Sequence, residues 1–595
     1  MAGLAAFLLL AVLLWGFGEV LAARLGLAGE RLGFPIALSY GFLTLAVFAL
    51  AWGRFLSIGS LLALLGVMGL LAVRRLAAAA RAGTVAVRTG GWKHLVPPRG
   101  LDRWLAAGTV MFYGLALVMA MAPPTGMDAG VYHFTIPKLI VREHGLVPLD
   151  DVWIHKFGGF YMLYALGMAT GGEVTAKLFA WGASVAAGAL ACSVARRLRP
   201  GAGWAAAFIL ASSPLAVGYA GYENLEIPLL LYLTASVYAL HRMAAGDGSR
   251  WAVAACAFAG FAVSTKPSSF PAAVVLPVAF FLVRRWAVAM AGMGAFLATA
   301  GFWGLWNAAT TGSFIYRYPG SALEGGAGIE PSLATTLLGP LRTLGFVATA
   351  GTYWPDSAGP FVVAGLAGFI VFRWREEARW PAVLCLLGVA GYIGILAILS
   401  PGHLSTSFSG RYLAPIVVGF GAVPAALFAD WARTQVGLLR WAILLALLLP
   451  AVPLAVLKAG KAAVAAPAAL GIERREAYLA KKIETFQACR YLDRLPDPRV
   501  KVLFVAHRPY YLDRPFVHAV DSGWQPFYRG LRDREDFVRR AREQGITHVL
   551  YEPSLPQGSW IADPDVFFGS APFREAGRWP YWLGRTVRVY ELMAP

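Results

Sequence analysis

Five places along the chain put an ionisable side chain at the end of a long apolar run. Asp128 stands in PPTGMDAGVYHFTIPK, six residues past an apolar run that ends near 122, with Tyr132 and His133 just after it. A carboxylate so placed can act as a general base toward an attacking hydroxyl. The same aspartate also suits the N-cap of a helix over Val131 to Glu143, because Asp is a favoured capping residue. Lys156, beside His155 in WIHKFGGF, presents an ammonium that can meet a lipid phosphate as a point charge or simply reach for the headgroups. Glu223 and Glu226, in YENLEIPLLLYL, share roughly one face if helical and are either a functional pair or solvated helix-end charge. Lys266 lies in the turn VSTKPSSFP, where Pro267 breaks the helix and Ser264, Thr265, Ser268 and Ser269 offer hydroxyls, so the turn could hold a phosphate or merely carry a surface lysine. Arg411 and Tyr412, in SFSGRYLAP, precede a late apolar run, and an arginine there can fork onto phosphate oxygens.

The elements that must position these groups are membrane helices. Of 595 residues 58% are hydrophobic and 14% charged, with mean hydropathy +0.60, whereas soluble domains carry about 25% charge. Apolar stretches near the roughly 20 residues that cross a hydrocarbon core of about 30 Å recur from residue 3 to residue 457 and predict about 14 spans. The net charge of +19 does not call for nucleic acid, because its placement follows the positive-inside rule. Arginine-rich loops at 74–103, 196–199, 284–285 and 373–379 are assigned to the cytoplasm, and this orientation puts 21 Lys and Arg inside against 11 outside over residues 1–469. All five chemical positions then fall outside. The first stretch, Gly3 to Ala22, lacks a basic n-region and reads as a retained span. The four cysteines, Cys192, Cys256, Cys385 and Cys489, have no metal-ligand or CxxC spacing.

The chain divides into residues 1–103, with three extra spans and a basic loop, residues 104–469, a membrane module with the outward loop 123–173, and residues 470–595. This last part holds 20 Lys and Arg and 16 Asp and Glu from Gly471 onward, the balance of a soluble domain, and must sit outside. Within it Val500 to Ala506 and Thr547 to Tyr551 read as strands and Asp533 to Gln544 as an amphipathic helix ended by Gly545, a small α/β domain. Its aromatics Tyr510, Tyr511, Trp524 and Tyr528 are either core or a stacking surface for sugar rings.

Taken in order, GMDAGVYH, HKFGGFYMLYAL, NLEIPLLLYL, STKPSSFP and GRYLAP resemble the GT-C superfamily of integral-membrane glycosyltransferases, in particular the bacterial branch of the lipid A aminoarabinose transferase and the relatives of protein O-mannosyltransferases. The resemblance covers residues 104–460. It implies a GT-C-like polytopic α-helical fold, a polyprenyl-phosphate-linked hexose or pentose as donor, a lipid, glycan or protein as acceptor, inversion at the anomeric carbon, and chemistry outside a bacterial-type inner membrane. By that resemblance Asp128 is the catalytic base, and Glu226 is a second carboxylate near sugar or acceptor. Lys156, Lys266 and Arg411 bind the donor phosphate, with His155, His133, Tyr132, Glu223 and Tyr412 lining the substrate site. No cofactor is implied, and no metal is expected, since the outward segments 123–173 and 307–360 carry no DxD. GGF stands where the family usually has a proline pair, Glu226 where close relatives have Asp, and three spans precede the expected first one. Membrane lipids are the other partners. The competing readings are a transporter or flippase, whose signature is paired repeats with helices broken at the midplane, and an oligosaccharide polymerase or ligase with a diphosphate-linked donor.

Overall fold

The computed structural model describes residues 2–27, 29–88, 100–147, 158–282, 284–314, 407–435, 437–519, 526–528, 530–552, 564–581 and 585–594, with isolated positions between 357 and 390. Nine helices among these are long and apolar enough to cross a membrane. Burial sorts them. Glu226–Ala244 and Leu413–Arg433 are 89% buried over their most apolar windows and form the middle of the bundle, whereas Ile58–Ala82 is only 22% buried and turns most of its surface outward. The three N-terminal helices, Ala2–Arg24, Gly33–Trp52 and Ile58–Arg88, pack on the long helix Tyr161–Leu198 and on one another. Small residues permit the closest approaches. Gly18 lies directly on the backbone of Pro35, with no room for a Cβ.

Several expected spans differ in the structure, and prolines explain most of the differences. The run 203–220 is two helices, Gly203–Ser212 and Pro214–Tyr219, because Pro214 starts a new helix whose N-cap Ser213 accepts a hydrogen bond from the Ala216 N–H at 3.1 Å. The run 269–283, which contains Pro271 and Pro277, follows a 3₁₀ turn opened by Pro267 and is broken into the short helices Phe270–Ala273 and Val275–Leu282. The run 438–457 breaks at Pro450 into Leu438–Leu448 and Ala451–Ala469. Helix Tyr161–Leu198 is itself two helices joined at Gly172, whose φ of 81° and ψ of −170° only glycine adopts readily. Of the expected spans at 360–373 and 380–399 only isolated positions are described, and the interfacial helix expected at 333–352 lies outside the described residues.

At one end of the bundle the chain builds a five-stranded sheet, ordered β2-β1-β3-β5-β4, from β1 (Val502–Val505), β2 (Phe516–His518), β3 (His548–Tyr551), β4 (Phe573–Pro580) and β5 (Thr586–Leu592). β1 runs parallel to β2 and β3, while β5 is antiparallel to β3 and β4. Both strands read from the sequence are here, and so is the helix, Arg534–Glu543, with Asp533 as N-cap accepting from the Asp536 N–H at 2.8 Å. Alternate residues of the central strands feed two cores. Leu503, Val505 and Val549 meet Phe537 and Ala541 on one face, and Val502, Phe504 and Leu550 meet Leu479, Phe486 and Leu492 on the other. Tyr511 and Tyr528 are buried core residues, and Trp524 lies outside the described residues.

Candidate functional site at the domain end of the bundle

Helix Leu101–Met121 stops at Ala122, where the backbone turns extended before Pro123 and Pro124. Its last carbonyls are taken by a lysine from another helix. The Lys177 ammonium donates to the carbonyls of Met119 and Ala122 at 2.9 and 2.8 Å, and Glu223 Oε2 lies 3.7 Å away. Both side chains are essentially without exposed surface. Glu223 in turn accepts the Gly126 N–H on Oε1 at 3.1 Å. The turn leading to Asp128 is thus held from the bundle side by a buried ion pair.

Asp128 is half-buried and opens a five-residue π turn, Ala129–His133, to which its side chain gives no capping hydrogen bond. The helix expected over Val131 to Glu143 is instead this turn followed by helix Thr135–Arg142, whose N-cap is Phe134. The capping role open to Asp128 is therefore not the one it has. Turns of this kind inside helices concentrate at functional sites. Thr135 Oγ1 donates to the Gly130 carbonyl at 2.7 Å, and the His133 ring lies buried with Nδ1 3.0 Å from the Tyr161 hydroxyl. Tyr132, also in the turn, is half-buried.

The second carboxylate meets the second lysine. Helix Glu226–Ala244 begins at Glu226, and the Lys266 ammonium donates to its Oε1 at 2.6 Å. Glu226 has no exposed surface, and Lys266 keeps 15% of its own. The chain turns at Lys266 because helix Arg250–Thr265 ends there and Pro267 opens the 3₁₀ turn. Two of the hydroxyls offered to a phosphate serve the backbone instead, Ser264 bonding to the Phe261 carbonyl at 3.0 Å and Ser269 to the Lys266 carbonyl at 2.9 Å. The Ser264 carbonyl accepts the Gly159 N–H at 2.7 Å, and Gly159 precedes the helix that carries Tyr161. Contacts therefore run unbroken from the Asp128 turn through His133, Tyr161 and Gly159 to the Lys266 turn and Glu226.

Glu223 and Glu226 are not one pair. Glu223 precedes the helix and faces Lys177, while Glu226 starts it and faces Lys266. His155 and Lys156 lie outside the described residues. Arg411 and Tyr412 fall in helix Ser407–Arg433, but their side chains are outside what is described. Lys177 was missed from the sequence, as was Lys458, fully buried and donating to the carbonyls of Val217, at 2.9 Å, and Ala220. An ionisable residue inside an apolar run is the signal for both. The C-terminal domain contributes His507, held below the usual histidine range by burial against the opposing fields of Glu552 and Asp128. Among the described residues no group of three or more His, Cys, Asp and Glu side chains is placed to hold a metal ion.

No family model matches the sequence, and no curated relative does. Solved structures do match. The apo crystal structure of ArnT from Cupriavidus metallidurans superposes with a TM-score of 0.52 at 16% identity, covering 85% of this chain and all of that one. ArnT from the same organism bound to undecaprenyl phosphate gives a TM-score of 0.51 at 13% identity, covering 83% of this chain and all of that one. At such identities the likeness is one of fold.

Proposed function

We propose that this chain, which has the GT-C fold of the membrane glycosyltransferases, transfers a sugar from a polyprenyl-phosphate donor to a hydroxyl of a lipid, glycan or protein acceptor at the outer side of a bacterial-type inner membrane. The observation that carries the reading is the run of contacts that leads from the Asp128 turn through His133, Tyr161 and Gly159 to the turn of Lys266, which is paired with buried Glu226. A fold of which one solved example holds undecaprenyl phosphate supports the donor class.

The chemistry these residues would perform is a single inverting displacement. The acceptor oxygen attacks the anomeric carbon as the bond from that carbon to the phosphate oxygen breaks, and the acceptor proton passes to the Asp128 carboxylate. The polyprenyl phosphate leaves with an added negative charge, which Lys266, together with Lys156 and Arg411, would stabilise in a poorly hydrated site. Glu226 fixes the Lys266 ammonium before the donor arrives, so little reorganisation accompanies the reaction. Tyr132, His133, His155 and Tyr412 would line the sugar and acceptor. Glu223 serves at one remove, holding the turn through Gly126.

The test is to incubate the purified protein in lipid nanodiscs with labelled polyprenyl-phosphate hexoses and pentoses and a membrane lipid extract. Release of polyprenyl phosphate with an inverted anomeric linkage in the product is expected. Retained configuration would refute the single displacement, and no release from any such donor would refute the donor class.

A further inference from the structure

One turn of the C-terminal domain reaches the segment that carries Asp128. It follows β1, and at its centre Arg508 adopts a left-handed backbone with φ of 66°, uncommon for a residue with a side chain. Arg508 lies along Gly130, two residues past Asp128. A Cβ at position 130 would fall 2.6 Å from both Cβ and Cγ of Arg508 and 3.0 Å from its Cα, so glycine there is what lets the two segments touch. Behind this contact the guanidinium is fixed by Glu484 at 2.8 Å, with both side chains largely buried. On the other side of Asp128, the Tyr511 hydroxyl donates to the Pro124 carbonyl. Further along, Lys138 donates to the carbonyls of Tyr510 and Leu512 at 2.7 and 3.0 Å and pairs with Asp513 at 2.7 Å.

These contacts bracket Asp128 at 124, 130 and 138. The turn between them is a π turn rather than a regular helix, and the aspartate does not cap it, so its backbone depends on outside support. Gly130 belongs to the membrane module and Arg508 to the C-terminal domain, so the contact between them is made by the docking of the domain on the Asp128 turn.

We infer that the C-terminal domain is a working part of the transfer site, with Arg508 and Tyr511 as positioning residues that hold the 124–130 turn and so place Asp128 against the acceptor hydroxyl. This rests on the reading of Asp128 as the base. The full chain in nanodiscs is assayed for kcat per folded enzyme and for donor KM, as wild type, Arg508→Ala, Gly130→Ala, the double variant Gly130→Ala/Arg508→Ala, Tyr511→Phe and Asp128→Asn. Since misplacing a reacting group by about 1 Å can cost about 100-fold, Arg508→Ala and Gly130→Ala are expected to lower kcat by about 10- to 100-fold with donor KM within about twofold. Both substitutions break one contact, so the double variant should lose no more than the worse single one. Tyr511→Phe, which removes one hydroxyl and keeps the ring, should lower kcat by a few-fold in a fully folded protein.

Three results would overturn the inference. With Asp128→Asn inactive, wild-type kcat in folded Arg508→Ala, Gly130→Ala and Tyr511→Phe removes it and leaves the base reading standing. Losses of Gly130→Ala and Arg508→Ala that multiply in the double variant also count against it. Undiminished turnover in Asp128→Asn removes the base reading, and the inference falls with it.

Discussion

The Lys266–Glu226 pair separates a structural role from a functional one, because the two have different energetic signatures. The ammonium sits 2.6 Å from a carboxylate that has no exposed surface. Lys266→Met leaves that carboxylate buried without its ammonium, a change that costs about 3–5 kcal/mol when a buried pair is broken from one side. Lys266→Met/Glu226→Leu removes both charges and should recover most of that stability, since replacing a buried pair by apolar residues is often near neutral. Donor binding should not recover. A hydrogen bond to a charged group contributes about 1.5–3 kcal/mol, which at tenfold per 1.4 kcal/mol weakens Kd for polyprenyl phosphate by about 10- to 150-fold in both variants. Thermal unfolding and equilibrium binding of polyprenyl phosphate to the protein in nanodiscs read the two quantities independently. A double variant with wild-type Kd would show the pair to be structural only, and a single variant of wild-type stability would refute the buried-charge reasoning.

Lys177→Met removes the ammonium that bonds the carbonyls of Met119 and Ala122 and leaves Glu223 buried. It should lower stability by about 3–5 kcal/mol, with part regained in Lys177→Met/Glu223→Gln; unchanged thermal unfolding would contradict this. Gly172→Ala forces a side chain onto a backbone with φ of 81° and should cost about 1–3 kcal/mol, and equal or greater thermal stability in that variant would count against the conformation. Turnover should survive exhaustive chelation with EDTA, because the outward segments 123–173 and 307–360 of the membrane module carry no DxD; activity lost to EDTA and restored by a divalent cation would overturn the metal-free mechanism.

The membrane character was open to reading because a span needs only length and apolarity, both local properties of the chain. Broken spans were legible in part. Pro214, Pro271 and Pro277 stand in the runs that the structure divides, and a proline inside an apolar run deserves to be weighed as a break. The pairing of the two glutamates was not legible. Their spacing put them on one face, yet helix Glu226–Ala244 starts between them, and their partners lie 46 and 40 residues away at Lys177 and Lys266. The contact of Arg508 with Gly130 depends on how the C-terminal domain docks, which no local pattern encodes. Edge strand β2 has three residues, too few for alternation to announce it.

In the proposed transfer of sugar from a lipid phosphate, Asp128 is the base. The most direct measurement is single-turnover sugar transfer by Asp128→Asn against wild type, with saturating polyprenyl-phosphate sugar. General-base catalysis contributes about 10²- to 10⁴-fold, so the variant should lose at least about 100-fold in rate while still binding donor. Transfer at the wild-type rate by a folded Asp128→Asn protein would remove Asp128 from that role.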